Sequence, residues 1–169
     1  RPIPADDIST IAFNDVDFGY TPTEQVLSGV SFRVDSKAFV AFVGPSGAGK
    51  STIASLLSRY YEPDAGEITA DGVPISEFEL DEWRGRVTIV RQDPHLFNET
   101  LWENVTVGNR DANRAEVEDA LEIAKVDEFF NELPDGYETV LGDDGVRLSG
   151  GQRQRVAIAR ALLKDADLL

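Results

Sequence analysis

The stretch GPSGAGKS, Gly44 to Ser51, constrains this chain more than any other. It follows FVAFV, an uninterrupted apolar run over 39–43, and it precedes STIASLLSRYY, where Ile53, Leu56, Leu57 and Tyr60 recur at helical spacing. A short apolar run ending at glycine reads as a strand buried on both faces, as in α/β proteins. Strand, glycine loop and helix in that order make half of a βαβ unit. The loop fits the pattern G-x-x-x-x-G-K-[ST]. Gly44, Gly47 and Gly49 permit dihedrals that side chains forbid, so successive backbone N–H groups can turn inward as an anion nest. The helix from Lys50 aims its positive end at the same place. Lys50 adds a point charge suited to β and γ phosphate oxygens, Ser51 a hydroxyl for a bridging Mg²⁺, and Thr52 a donor for the α-phosphate. The candidate nucleotide site is therefore Gly44, Pro45, Ser46, Gly47, Ala48, Gly49, Lys50, Ser51 and Thr52. The competing reading is a glycine-rich turn that merely starts a helix. The flanking strand and helix patterns favour nucleotide binding, and leave kinase, GTPase, motor and transporter open.

The rest of the chain reads as a mixed α/β core interrupted by helices. TIAFNDVDFGY, from Thr10, and VLSGVSFRVD alternate apolar and polar residues around the turn TPTEQ, which predicts two antiparallel strands. DAGEITADGVPI predicts two short strands about Asp71-Gly72. EFELDEWRGR predicts a short helix, and VTIVRQ over 87–92 a second buried strand. From Asp93 to Val146 the pattern turns helical, with Val117, Leu121 and Ala124 on one stripe, until Pro134 and Gly136 break it. At 169 residues one compact domain is expected, with charged residues at 28% and hydrophobic ones at 41% as in soluble globular proteins. There is no cysteine, which excludes disulfides and thiolate metal sites. Net charge is −15, and acids spread along the whole chain repel phosphate backbones, so nucleic acid is not an expected partner.

A second glycine cluster, LSGGQ, spans Leu148, Ser149, Gly150, Gly151 and Gln152. Ser149 offers a hydroxyl, the glycines bare their backbone, and a helix bearing Val156, Ile158, Ala159, Leu162 and Leu163 follows. That is a second anion site or, more plainly, an ordinary capped helix start.

Taken together, Gly44–Thr52 and Leu148–Gln152 resemble the nucleotide-binding domain of ABC ATPases. VRQDPHLFNETLWENV is similar to the exporter segment around the Q-loop glutamine, here Gln92, and LPDGYETVLGDDGVRLSGGQRQRVAIARALL to the stretch that enters the signature. Tyr20, in FGY, matches the aromatic that stacks on adenine. The resemblance implies an α/β P-loop NTPase core with an antiparallel β subdomain and a helical insert. It implies ATP and Mg²⁺ as cofactors, with Lys50 and Gln92 in catalysis and Ser51 and Gln92 at the metal. It also implies a head-to-tail dimer, in which Ser149, Gly150 and Gln152 of one domain close on the γ-phosphate held by another. The implied partners are a second nucleotide-binding domain, the same or a sister one, and a transmembrane domain. The implied location is the cytoplasmic face of the cell membrane, and the activity ATP-driven export. Soluble ABC-type ATPases and nucleotide-dependent clamps are the alternative. The clamp ATPases of chromosomes carry long coiled coils between the two motifs, and this chain is continuous there.

Some residues depart from the family pattern. Ser36, Lys37 and Ala38 stand where a glycine-acid pair is usual, and TVLGDDG places Asp143 and Asp144 where a glutamate and a basic residue are common. His95 does not match the family's switch histidine and reads as a loop residue. Trp83 and Trp102 read as packing or as contact with the membrane domain, and Tyr60 and Tyr61 as cover for the core. Residues 1–9 read as a linker from an upstream membrane domain, 10–169 as the nucleotide-binding domain, and about 93–158 as its helical part. DADLL is expected to begin the strand that carries the Walker B aspartate, with the catalytic glutamate beyond. The expectation for the 169-residue chain alone is that it binds ATP and hydrolyses it poorly.

Overall fold

The computed structural model describes residues 2–3, 7–142 and 145–169. It divides into two compact units, Arg1–Val87 and Thr88–Leu169.

The first unit is built on an antiparallel sheet. β1, Thr10–Thr21, and β2, Glu24–Asp35, are the expected hairpin, closed by Pro22-Thr23. The inward residues of β1 are Ile11 and Phe13, then Val16 and Phe18. This switch from odd to even positions has a local cause. Between Phe13↔Phe32 and Val16↔Val30, β1 spends one residue more than β2. The extra residue sits beside Asp15, at φ 47°, whose N–H donates to the Ser31 hydroxyl at 2.9 Å. The bulge returns the apolar side chains to the core face after the slip. β3, Ala65–Ala70, pairs with the other edge of β1, and β4, Val73–Pro74, closes a two-residue hairpin. Its turn, Asp71-Gly72, has φ 49° and 78°, the left-handed pair such hairpins require. The sheet order is β2-β1-β3-β4. Helix α1 runs from Lys50 to Leu57, and α2 from Leu80 to Gly85. Trp83 in α2 is fully buried. It stacks on Phe78 and donates its indole N–H to the Leu57 carbonyl at 2.7 Å, so packing is its role, as expected.

Two sequence expectations fail. Residues 39–43 form no strand and are exposed, Phe39 at 98% and Val43 at 91%. Residues 88–92 form none either, and Ile89 is exposed. A strand exists only through the ladder it joins, and a parallel strand needs neighbours distant in sequence on its edges. No named strand among the described residues flanks either run. Leu168 makes one rung, accepting from the Thr88 N–H at 2.8 Å, while Leu169 is exposed. Tyr60 and Tyr61 are both about half exposed; Tyr61 lays its ring 5.5 Å from that of buried Phe18 and so covers the core there, while the Tyr60 ring lies against the Arg84 guanidinium.

The second unit is helical, as the 3.6-residue pattern predicts. α3 is Leu101–Thr106, α4 Arg114–Ile123, α5 Asp127–Phe130 and α6 Gly150–Leu163. Leu101, Val105, Val117, Leu121, Val126, Leu141, Val156 and Ala159 share one buried core. Burying each large apolar side chain is worth about 1.5–3 kcal/mol. α3 and α4 each begin with a reciprocal capping box, Thr100 with Glu103 and Asn113 with Glu116. Hydrogen bonds from the Thr100 backbone and hydroxyl hold the Glu103 carboxyl below its ordinary range. Trp102 packs, half-buried, edge-on against Tyr137. Asp143 and Asp144, the departures from the exporter pattern, lie outside the described residues.

Candidate functional site

The glycine loop of the first unit has the architecture of an anion cradle. Gly47 and Gly49 have φ 84° and 81°, so two of the three expected glycines use their freedom and Gly44 does not. Gly49 is needed twice over, since a Cβ there would lie 2.6 Å from the Leu27 side chain. Gly49 is also the N-cap of α1, and no side chain caps that helix. The first-turn N–H donors of α1 are therefore not satisfied by a capping side chain, and no acid stands among them. The Lys50 ammonium folds back over the loop and donates to the carbonyls of Gly44 at 2.8 Å and Pro45 at 2.6 Å. Its charge thus sits at the loop mouth. Pro45, Ser46, Gly47 and Ala48 are exposed, and so is Ser51 on the first turn of α1.

The fold brings Tyr20 to this loop. Its hydroxyl and that of the buried Thr52 are 3.0 Å apart, and its ring meets Phe18 and Tyr61 edge-on. Tyr20 remains 48% exposed, so an aromatic face is available beside the start of α1. Thr52 is more deeply placed than its sequence reading implies, and it ties Tyr20 down. Tyr61 was not foreseen as a neighbour of Tyr20, since no periodicity links the end of β1 to the turn after α1.

The other candidates, Gln92 and Leu148 to Gln152, belong to the second unit. Gln92 is exposed in an irregular segment. Ser149 is the N-cap of α6: its hydroxyl accepts from the Gln152 N–H at 3.2 Å, and the Gln152 side chain accepts from the Ser149 N–H at 2.9 Å. This cluster is a capped helix start, with Gly150 and Gly151 exposed beside the cap. A cavity of about 630 Å³ lies against it, walled by residues 93–98 on one side and by Gly142, Val146, Arg147, Leu148 and Arg153 on the other. His95 lies in this wall as a loop residue, its ring edge-on to Phe97.

Residues that the sequence reading passed over hold that wall in place. Arg153 donates to the Leu148 carbonyl at 3.0 Å and to the Asp93 carboxylate at 3.3 Å. Arg160 reaches the carbonyls of Asn104 and His95, and burial pushes its guanidinium below the ordinary arginine value. The available signal was the seven-residue spacing of these arginines on one helix, which puts them on the same face.

Possible metal ligands are few. Among the described residues no group of three or more histidines, cysteines or acids could hold an ion. Ser51 and Gln92 offer a hydroxyl and an amide oxygen, hard donors of the kind Mg²⁺ takes together with phosphate oxygens.

Comparison with known proteins places these features in context. The family model described as ABC transporter matches residues 27–169. The ATP-dependent lipid A-core flippase of Chromobacterium violaceum is 48% identical over 160 residues, 94% of this chain and 27% of that protein. The mitochondrial iron-sulfur clusters transporter ATM1 of Kluyveromyces lactis is 45% identical over 159 residues, 94% of this chain and 22% of its own length. Among solved structures, a bacterial Atm1-family ABC exporter with ATP bound superposes with a TM-score of 0.91 at 45% identity, covering 98% of this chain and 29% of that one. The chain thus spans about a quarter of the length of the curated relatives it matches.

Proposed function

Because the chain belongs to the ABC transporter family and has its ATPase fold, we propose that it is the nucleotide-binding domain of an exporter. ATP binding is the property of the family; the assignment of residues to roles is our reading. Residues 10–169 form the domain, and about 93–158 its helical part. Tyr20 stacks on adenine, the loop from Gly44 to Thr52 cradles the phosphates, and Lys50 turns from the loop carbonyls to the β and γ oxygens. Ser51 and Gln92 would hold Mg²⁺, which would supply positive charge against the phosphoryl oxygens. Ser149, Gly150 and Gln152 of a second domain close the site, so that ATP bridges two domains and hydrolysis releases them. The cavity beside the signature takes a segment of the transmembrane domain. The whole then works at the cytoplasmic face of the membrane; no helix among the described residues is long and apolar enough to cross one.

The observation that carries this reading is the start of α1. A helix N-terminus without a side-chain cap, a left-handed Gly49 and a lysine folded over the loop form a receptor for a polyphosphate tail. Equilibrium binding of Mg-ATP to the full-length protein tests it, and Lys50→Ala serves as the control. Equal affinity of wild type and variant would sink the assignment.

For the 169-residue polypeptide alone we expect weak Mg-ATP binding and negligible turnover. The run that feeds the loop, 39–43, is exposed and joins no strand among the described residues, and no carboxylate accompanies Ser51 on the first turn of α1. Turnover within tenfold of that of an intact domain would overturn the expectation.

A further inference from the structure

The segment from Asp93 to Glu99, directly after Gln92, has no regular secondary structure, yet it is held closely. Two arginines of α6 grip it. Arg153 and Arg160 are two helical turns apart, about 10 Å along the axis, on one face. Arg153 holds the front of the segment through Asp93. Arg160 holds its middle directly through one hydrogen bond, to the His95 carbonyl at 3.2 Å, and makes two more to Asn104 of α3, at the carbonyl at 2.8 Å and the side-chain oxygen at 3.1 Å. Its guanidinium also lies 5.3 Å from the centre of the Phe97 ring.

Asn104 completes the clamp. It is 0% exposed, and its side chain stands in for a missing strand partner. Its oxygen accepts from the Phe97 N–H at 2.9 Å, and its amide donates to the carbonyls of Phe97, Glu99 and Thr100 at 3.0–3.1 Å. Gly108, just after α3, lets the chain close on α6 at this point, because a Cβ there would lie 2.4 Å from the Arg160 carbonyl. Among the described residues, the hydrogen-bond acceptors of Arg160 are uncharged oxygens. A half-buried cation so placed is poor value for stability, since an apolar side chain of similar volume costs less to desolvate. What a planar fork supplies is fixed geometry.

We propose that Arg160, acting through Asn104, is a positioning residue for Gln92. It locks the segment behind Gln92 to the helix that the signature begins, so that Gln92 and Ser149 move as one body. The inference rests on the proposed roles of Gln92 and Ser149. It predicts that turnover and nucleotide affinity separate, because the Lys50 loop belongs to the other unit.

The test is steady-state ATPase and Mg-ATP binding by the full-length protein with Arg160→Lys, which keeps the charge and loses the fork. The expected result is kcat down about tenfold, with KM and ATP affinity within about twofold of wild type and thermal unfolding still cooperative. A folded variant with unchanged kcat overturns the proposal, as does one whose affinity falls in step with kcat. If Arg160→Lys fails to fold, Asp93→Asn decides, since it loosens only the exposed end of the clamp. It should lower kcat two- to threefold at unchanged KM, and an unchanged kcat overturns the proposal. Failure of wild type itself to bind Mg-ATP would instead strike the proposed function.

Discussion

The helices α1 and α6 both start beside glycines, and the two starts are finished differently. α1 begins at Gly49 in a left-handed conformation, without a side-chain cap and with a lysine folded over its mouth. α6 begins at Ser149 with a full capping box closed by Gln152. Both ends carry the same partial positive charge. In α1 the donors are left for a ligand to satisfy. In α6 the cap already engages two of them, and the glycines offer access rather than bare donors. The first end suits an anion that binds to one domain, and the second suits one held elsewhere, which is the asymmetry the proposed sandwich of two domains needs.

The contrast can be broken at either end. The largest effect is expected from Lys50→Ala in the full-length protein. It removes the cation from the loop mouth and should cut ATP turnover on the order of 100-fold or more, the scale for losing one electrostatic contact to a transition state. Close behind, Ser149→Glu sets a carboxylate against the partner's γ-phosphate. It should abolish ATP-dependent association, measured by light scattering, while leaving equilibrium ATP binding to single domains within about threefold. Tyr20→Ala removes the aromatic face and should weaken ATP about tenfold, the scale for one stacked base; Tyr20→Phe keeps the ring and should stay within a few-fold.

A pair of glycine substitutions sharpens the comparison. Gly49→Ala is strained by its left-handed backbone, about 1–2 kcal/mol, and also meets Leu27, so it should lower stability and ATP affinity together. Gly150→Ala has open space around it, with its nearest neighbour 3.9 Å away, and should be neutral or slightly stabilising in a thermal melt. Turnover should still drop if the partner's nucleotide must approach that backbone. A stable, fully active Gly150→Ala protein would leave the signature as a helix cap and nothing more. The smallest effect concerns α3. The folded state holds the Glu103 carboxyl low, so this cap contributes stability above the ordinary glutamate range and loses it as pH falls through the lowered value. Glu103→Gln should flatten that acid-side dependence in pH-dependent melts without changing ATP affinity.

Much of this was legible residue by residue. The hairpin of β1 and β2, the Asp71-Gly72 turn and the stripe of Val117 and Leu121 all follow from periods of two and 3.6 and from turn chemistry, which are local. The bend of the glycine loop was legible because Gly47 and Gly49 act through their own backbone and Lys50 reaches carbonyls only five and six residues back. The runs over 39–43 and 88–92 were misread because apolar content says that a segment wants burial, not which neighbour will bury it. Tyr61 beside Tyr20, and Arg160 over Phe97, were invisible because each depends on contacts between distant segments.

By itself, then, the sequence determined where the helices start, which glycines bend the loop and which side chains bear charge toward it. Each of these is settled within a few bonds of the residue concerned. Only the tertiary structure decided that Thr52 ties down Tyr20, that Tyr61 meets the Tyr20 ring, and that Arg160 reaches the segment behind Gln92. The reason is that a polar side chain takes whichever partner the packing of apolar surfaces brings within 3 Å or so, and that partner is not written in its neighbours along the chain.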